Sequence, residues 1–322
     1  ARAVAVLVLV AAAALIPVFG PRAALDGTGE AAVPGASGIA LLRTVLFAAL
    51  CVPAGELFVA RLVRRIPGAP ARTPRSWAPY AAAAGFLAAL GLASVVSTGN
   101  LVPAGLGDID VGGLYDTRDG VLALLEVNAF AAAGLCALSR RPATQVWPLA
   151  AVAVAEALRA HPTTEYSPLV GSALTLVHVI CASLWVGGLL YVLRVLRHWR
   201  AARAGQPSET EGAGAALLGL YARVAAVLLA ALTATGVCST LRRMPPQTVL
   251  EQLTTTAYGR VLLAKVLLMV VVAVLALVAR RRLSRASDPL TACSPARAEV
   301  VVLGVVVAVS ALLTVVPVPI RW

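Results

Sequence analysis

The sequence is poor in charged residues, and this shortage excludes most soluble protein classes. Asp, Glu, Lys and Arg make up 13% of the 322 residues, against 60% for the hydrophobic types. The mean hydropathy is +0.87. These values lie outside the range of soluble globular proteins. We therefore expect a protein that lies in the lipid bilayer.

Several signatures of soluble function are also missing. The five cysteines have no CxxC spacing, so they give no sign of a zinc or redox motif. There is no phosphate-binding loop and no nucleotide fold, which argues against ATP-driven pumping. No Ser/His/Asp set marks a catalytic triad, and we do not expect an enzyme. The net charge of +12 comes from short basic clusters between apolar runs, a pattern typical of membrane topology and not of nucleic-acid binding.

Long apolar runs are what the sequence has instead, each about as long as the ~20 residues that a transmembrane helix needs. The runs cover residues 3–19, 39–60, 77–97, 120–139, 144–160, 169–193, 214–240, 258–279 and 298–316. They predict an all-α, polytopic membrane bundle of about nine transmembrane helices. The count is eight if residues 1–20 are a cleaved signal peptide. Residues 1–140 would hold about four of the spans and residues 141–322 about five.

The loops between these runs alternate in charge. Arginines are concentrated in loops 61–76, 194–213 and 280–297, whereas loop 98–119 is acidic. Basic loops stay on the cytoplasmic side of a membrane. The pattern therefore predicts a multi-pass protein of the cell membrane, with a cytoplasmic N-terminus and an extracytoplasmic C-terminus.

One apolar run carries a histidine where a packing role is hard to justify. His178 lies near the middle of the run 169–193. An ionisable side chain at that depth is costly and indicates a function. Gly187 and Gly188, later in the same run, would let a second helix backbone approach closely.

Three more ionisable residues fall inside predicted spans, in the same outer half of the bilayer as His178. They are Glu126, Glu156 and Lys265. Each would cost roughly 2.5–3.5 kcal/mol if it faced lipid alone. Mutual pairing or a water-filled cavity costs less, so the sequence predicts a polar vestibule open to the extracytoplasmic side. A purely structural role remains open, in which Glu126 ties helices together and Lys265 pairs with Glu126 or Glu156.

Three motifs, taken in order, resemble the CopD/PcoD copper-resistance membrane family. The first is His161 followed by Leu176-Val177-His178 and Trp185-Val186-Gly187-Gly188-Leu189-Leu190; the second is Tyr258-Gly259-Arg260 with Lys265; the third is the terminal Val315-Val316-Pro317-Val318-Pro319. The resemblance covers about residues 145–320. The composition, rich in alanine and arginine, is typical of an actinobacterial member.

The resemblance implies copper handling at the membrane, with uptake from the extracytoplasmic side. The positions that match the family motifs are His161, His178, Trp185, Gly187, Gly188, Tyr258, Gly259, Arg260 and Lys265. Imidazole nitrogen and soft sulfur both bind copper, so His178 and His161 are the expected ligands. Cys181 follows His178 by three residues on the same helix face, and Met244 is a candidate thioether ligand. Trp185, Tyr258 and Arg260 would support the polar vestibule.

Two other functions remain open at this point. A single b-type haem held between His161 and His178 would make the protein an electron carrier, whereas three histidines are too few for two bis-histidine haems. Alternatively, the protein does not transport copper but delivers it during cytochrome oxidase assembly. The expected partners are therefore the lipid bilayer, a copper ion, and an extracytoplasmic copper chaperone or an oxidase assembly protein.

Overall fold

The computed structural model of the chain describes residues 2–99, 105, 110–201, 207–285 and 294–318. Within these residues the chain is all-helical and contains no strand. The helices are α1 (Arg2–Leu25), α2 (Ala36–Val63), α3 (Ala78–Thr98), α4 (Val111–Asp116), α5 (Arg118–Leu138), α6 (Val146–Arg159), α7 (Pro168–Ala201), α8 (Pro207–Arg243), α9 (Val249–Thr255), α10 (Ala257–Arg285) and α11 (Ser294–Leu312), with a 3-10 turn at Pro142–Gln145. Parts of the charged loops 98–119, 194–213 and 280–297 lie outside the described residues.

Six helices in the described part of the chain are long and apolar enough to cross a membrane, namely α2, α3, α5, α7, α8 and α10. A helix also occupies each of the other apolar runs, but the predicted count of nine spans is not confirmed. Helix α6 has only 14 residues. At 1.5 Å per residue it is about 21 Å long, shorter than the ~30 Å hydrocarbon layer. Helices α1 and α11, of 24 and 19 residues, are not among the six.

Helix α2 lies at the centre of the bundle, in contact with α1, α3, α7 and α11. Together with α3, α5 and α6 it encloses an apolar core around Leu46 and Phe130. Together with α7 and α8 it forms a second core around Val192 and Leu217. The packing of α2 on α7 and of α5 on α6 joins the two predicted parts of the chain. The division at residue 140 stays a prediction.

Helices α2 and α7 cross at a glycine contact. A methyl group on Gly187 would lie 1.8 Å from the carbonyl oxygen of Cys51, and one on Gly55 would lie 2.0 Å from the carbonyl carbon of Gly187. Only glycine fits at either position, because both neighbours are backbone atoms. The predicted close approach at Gly187 is confirmed, and it places α7 directly against the central helix. Gly188 faces a side chain instead, the ring of Tyr221.

The bundle has two polar ends. At one end the loop between α6 and α7 carries His161, whose carbonyl oxygen accepts a hydrogen bond of 3.1 Å from Arg118 at the start of α5. At the other end Glu56 of α2 accepts a hydrogen bond of 2.8 Å from Arg194 of α7. We refer to these as the His161 end and the Glu56 end.

Candidate metal centre

His161 is held in a closed polar pocket at the start of α7. Its side chain is 2% exposed. Ring atom Nδ1 lies 2.6 Å from Oε2 of Glu165, and Nε2 lies 2.9 Å from Oγ1 of Thr175. Gly171 makes room for the ring, since a methyl group there would lie 2.4 Å from Nδ1. Both ring nitrogens of His161 therefore have hydrogen-bond partners.

The protonation state of His161 follows from these contacts. Burial lowers the pKa of His161, and the Glu165 carboxylate raises it by a smaller amount. The ring is therefore neutral at pH 7, with one N–H donor and one acceptor. A carboxylate can only accept, so the proton is on Nδ1 and points to Glu165. The Thr175 hydroxyl then donates to Nε2.

His178 is a half-buried residue of α7 whose ring contacts α8. Its Nδ1 is 2.9 Å from Oγ1 of Thr235, on α8. On the same side of the ring, a methyl group on Gly236 would lie 3.9 Å from Cε1. Within the described residues Nε2 makes no hydrogen bond. His178 thus offers a nitrogen that is not already engaged.

The His161 ring packs against the face of α7 that carries His178. Gly171, Thr175 and His178 are spaced by four and three residues, which places them on one side of the helix. The His161 ring covers Gly171 and Thr175. His178 lies one turn further from the His161 end, about 4.5 Å along the helix axis from Thr175. His161 therefore packs one turn away from His178 on α7. Convergence of the two histidines on one metal ion stays a prediction.

The two sulfur candidates differ in their surroundings. Cys181 is half-buried and packs against the apolar core that joins α7 to α2 and α8. Met244 is fully buried in a different apolar cluster, formed with Tyr258, Val261 and the end of α11. No group of three or more His, Cys, Asp or Glu side chains that could hold a metal ion occurs in the described ranges. Metal ligation by Cys181 or Met244 stays a prediction.

The acids inside the predicted vestibule pair with arginines. Glu126 is 0% exposed, and its Oε2 lies 2.9 Å from Nη1 of Arg159. Arg43 contacts both carboxylate oxygens of Glu156, at 3.1 and 2.8 Å. The same Nη1 of Arg159 is 3.5 Å from Glu156. Two carboxylates and two guanidinium groups form a charge-balanced cluster between α2, α5 and α6, which we call the Arg–Glu cluster.

Lys265 is not paired with either of these acids. Lys265 is half-buried on α10, near enough to His178 for its charge to act on the ring. No ion pair of Lys265 occurs in the described part of the chain. The structural pairing considered for Lys265 with Glu126 or Glu156 is wrong, because Arg159 and Arg43 occupy those carboxylates. Consequently, no acid in the described residues balances charge at His178, and the common vestibule stays a prediction.

The remaining family positions have structural contacts. Trp185 is buried, and its carbonyl oxygen accepts a hydrogen bond of 2.6 Å from the Tyr221 hydroxyl. The Tyr258 hydroxyl accepts a hydrogen bond of 3.0 Å from Arg243. Arg260 donates to the carbonyl oxygens of Thr254, at 2.9 Å, and Asp26. A methyl group on Gly259 would lie 1.9 Å from the carbonyl oxygen of Gln252, so glycine lets α9 fold back on α10.

Sequence reasoning missed several residues that shape these sites. Arg43 lies within the apolar run 39–60, and the cost of a charge in a span would have identified it. Glu165, Thr175 and Thr235 carry no comparable signal. A hydroxyl in a helix is common, and its partner is fixed only by how the helices pack.

The comparisons with known proteins point to one family. The family model described as CopD, Copper resistance protein D, matches residues 215–313. This range includes most of α8 and all of α9, α10 and α11. No curated protein and no solved structure matches the chain. The match includes Met244, Tyr258, Arg260 and Lys265, and it begins after His161 and His178. Residues 215–313 are therefore similar to the CopD copper-resistance family, which confirms the expected resemblance over that part of the chain.

Proposed function

We propose that this multi-pass membrane protein takes up copper from the side of the membrane at the His161 end, with Cu(I) bound at His178 and His161 as the second ligand. The observation that carries the proposal is the common α7 face of the two histidines. His161 covers Thr175, and His178 follows one turn deeper with Nε2 free of hydrogen bonds among the described residues. Neutral imidazole nitrogen is a suitable copper ligand.

The charges near His178 favour a monovalent ion. The only charged group that acts on His178 in the described residues is Lys265, and the acids pair elsewhere. Coulomb repulsion from a protonated lysine is proportional to the charge of the cation, so it is twice as large for Cu(II) as for Cu(I). Two nitrogen ligands also leave a divalent ion, which prefers a tetragonal set of nitrogen and oxygen ligands, without most of its coordination shell.

Cu(I) titration of the purified protein under reducing conditions tests the ligands. We expect His178→Ala to abolish tight binding and His161→Ala to weaken it. His198→Ala is the matched control, because His198 lies on the same helix near the Glu56 end, and it should bind as the wild type does. Unchanged stoichiometry in the His178→Ala variant would refute the assignment. A Soret band in the absorption spectrum of the wild type would favour the haem alternative instead.

Transport requires a separate measurement. Cells with and without the gene should differ in copper content when copper is supplied outside, and the His178→Ala variant should resemble the deletion. Equal copper content, together with a loss of oxidase activity in the deletion strain, would support a delivery partner over a transporter. Cys181→Ser in the same assays decides whether the sulfur one turn below His178 takes part.

A further inference from the structure

The hydroxyl group of Thr235 lies within hydrogen-bond distance of three atoms but has one proton to donate. Its Oγ1 lies 2.8 Å from the carbonyl oxygen of Ala231, 3.2 Å from that of Leu232, and 2.9 Å from Nδ1 of His178. The 2.8 Å contact to Ala231 is the bond that a helical threonine makes back to the preceding turn, so we assign the hydroxyl proton to that carbonyl oxygen. Towards His178 the Thr235 oxygen is then left as an acceptor.

We propose that Thr235 is a positioning residue that selects the tautomer of His178 with the proton on Nδ1 and directs Nε2 to the copper ion. A neutral imidazole carries one proton, and the hydrogen bond at one nitrogen decides which nitrogen is left as a ligand. Metal-binding histidines in general donate their second N–H to such a partner. The inference rests on the proposed copper site, but the tautomer itself exists without copper.

Thr175 has the opposite effect on His161. Because Glu165 holds the proton on Nδ1 of His161, the Thr175 hydroxyl donates to Nε2, the nitrogen that would bind copper. Copper can reach that nitrogen only after the Thr175 hydrogen bond breaks. His178 is therefore the ligand that is ready in the resting protein, and His161 joins after the ion has arrived.

Replacing each of the two threonines by valine should therefore change the Cu(I) affinity in opposite directions. Thr235→Val keeps the side-chain shape but removes the acceptor, and we expect Cu(I) affinity to fall about 10–100-fold, as for other partners of metal-binding histidines. Thr235→Ser keeps the hydroxyl and should bind within about threefold of the wild type. Thr175→Val frees Nε2 of His161 and should bind Cu(I) more tightly than the wild type.

The tautomer is measured directly on copper-free protein labelled with 15N-histidine. The chain has three histidines, and the spectrum of His178→Ala assigns the His178 signals. We expect the wild type and Thr235→Ser to carry the proton on Nδ1, and Thr235→Val to lose this preference while the His161 signals stay unchanged. Unchanged His161 signals also show that the variant is folded.

Two results would overturn the inference. One is a proton on Nε2 of His178 in the wild type, which needs no variant to observe. The other is a Thr235→Val protein that keeps both the wild-type tautomer and the wild-type Cu(I) affinity. If the tautomer is as expected but His178→Ala still binds Cu(I), the proposed function fails while the role of Thr235 in fixing the ring remains.

Discussion

Replacing Arg159 by methionine should destabilise the fold strongly, because the substitution leaves a buried carboxylate without its partner. Glu126 is 0% exposed, and the 2.9 Å contact to Arg159 is the one ion pair it makes in the described residues. Its second oxygen, Oε1, has no hydrogen-bond partner in the part of the chain that the structure describes. Removing one member of a buried pair typically costs about 3–5 kcal/mol. We expect the lower part of that range, about 3 kcal/mol, because Arg159 is 13% exposed and some water reaches it.

The double variant Arg159→Met with Glu126→Met distinguishes this cost from ordinary loss of packing. It removes both charges, and an apolar replacement of a buried ion pair is often neutral or stabilising. We therefore expect it to recover most of the stability that the single variant loses, which a double-mutant cycle expresses as a coupling energy. The Glu156 pair with Arg43 remains in both variants as an internal reference.

Reversible unfolding in mixed micelles, followed by the helical circular dichroism signal, gives the free energy of unfolding of each variant. The expected order is wild type and double variant close together, with Arg159→Met well below both. An Arg159→Met protein within about 0.5 kcal/mol of the wild type would show that Glu126 does not remain a buried, charged carboxylate, since that is the usual range for surface substitutions. A double variant as unstable as the single one would contradict the ion-pair argument.

Two further predictions concern the helix crossing and His161. Gly187→Ala should destabilise the protein by about 3 kcal/mol or more, since the added methyl group would lie 1.8 Å from the Cys51 carbonyl oxygen. Gly219→Ala is its control, because no atom of the described residues would lie within 4 Å of the added methyl group, and unfolding in mixed micelles should show no loss of stability. Burial lowers the pKa of His161, so the unfolded chain binds more protons than the folded one as the pH falls below about 6.5. The free energy of unfolding should therefore decrease in that range, and His161→Gln should show a smaller decrease; equal slopes in the two proteins would refute this account.

The membrane class and the positions of most helices could be predicted from the sequence. The length of each apolar run and its lack of charge suffice, because the free energy of moving a segment from water to lipid depends on that segment's own residues. The same argument identified His178, whose neighbours along the chain are all apolar. The count of crossing helices was less predictable. Composition marks 144–160 as a candidate span, but the helix formed there, α6, has 14 residues and ends at Arg159.

The pairing of the polar groups could not be predicted, since the partners are far apart in the chain. Arg43 and Glu156 are separated by 113 residues, Glu126 and Arg159 by 33, and His178 and Thr235 by 57. A rule about the cost of buried charge states that a partner is needed, but not which one. Lys265 is an example, because Glu126 and Glu156, the acids considered as its partners, pair with Arg159 and Arg43 instead.

The sequence by itself determined that this chain lies in a membrane, that it resembles the CopD family, and that His178 lies within a long apolar run. These conclusions depend on local composition and spacing, which each segment carries alone. Only the tertiary structure decided that Glu126 and Glu156 pair with arginines and not with Lys265, and that a threonine lies within hydrogen-bond distance of each of the two histidine rings. Hydrogen bonds act over about 3 Å, so their outcome depends on how α2, α6, α7 and α8 pack together.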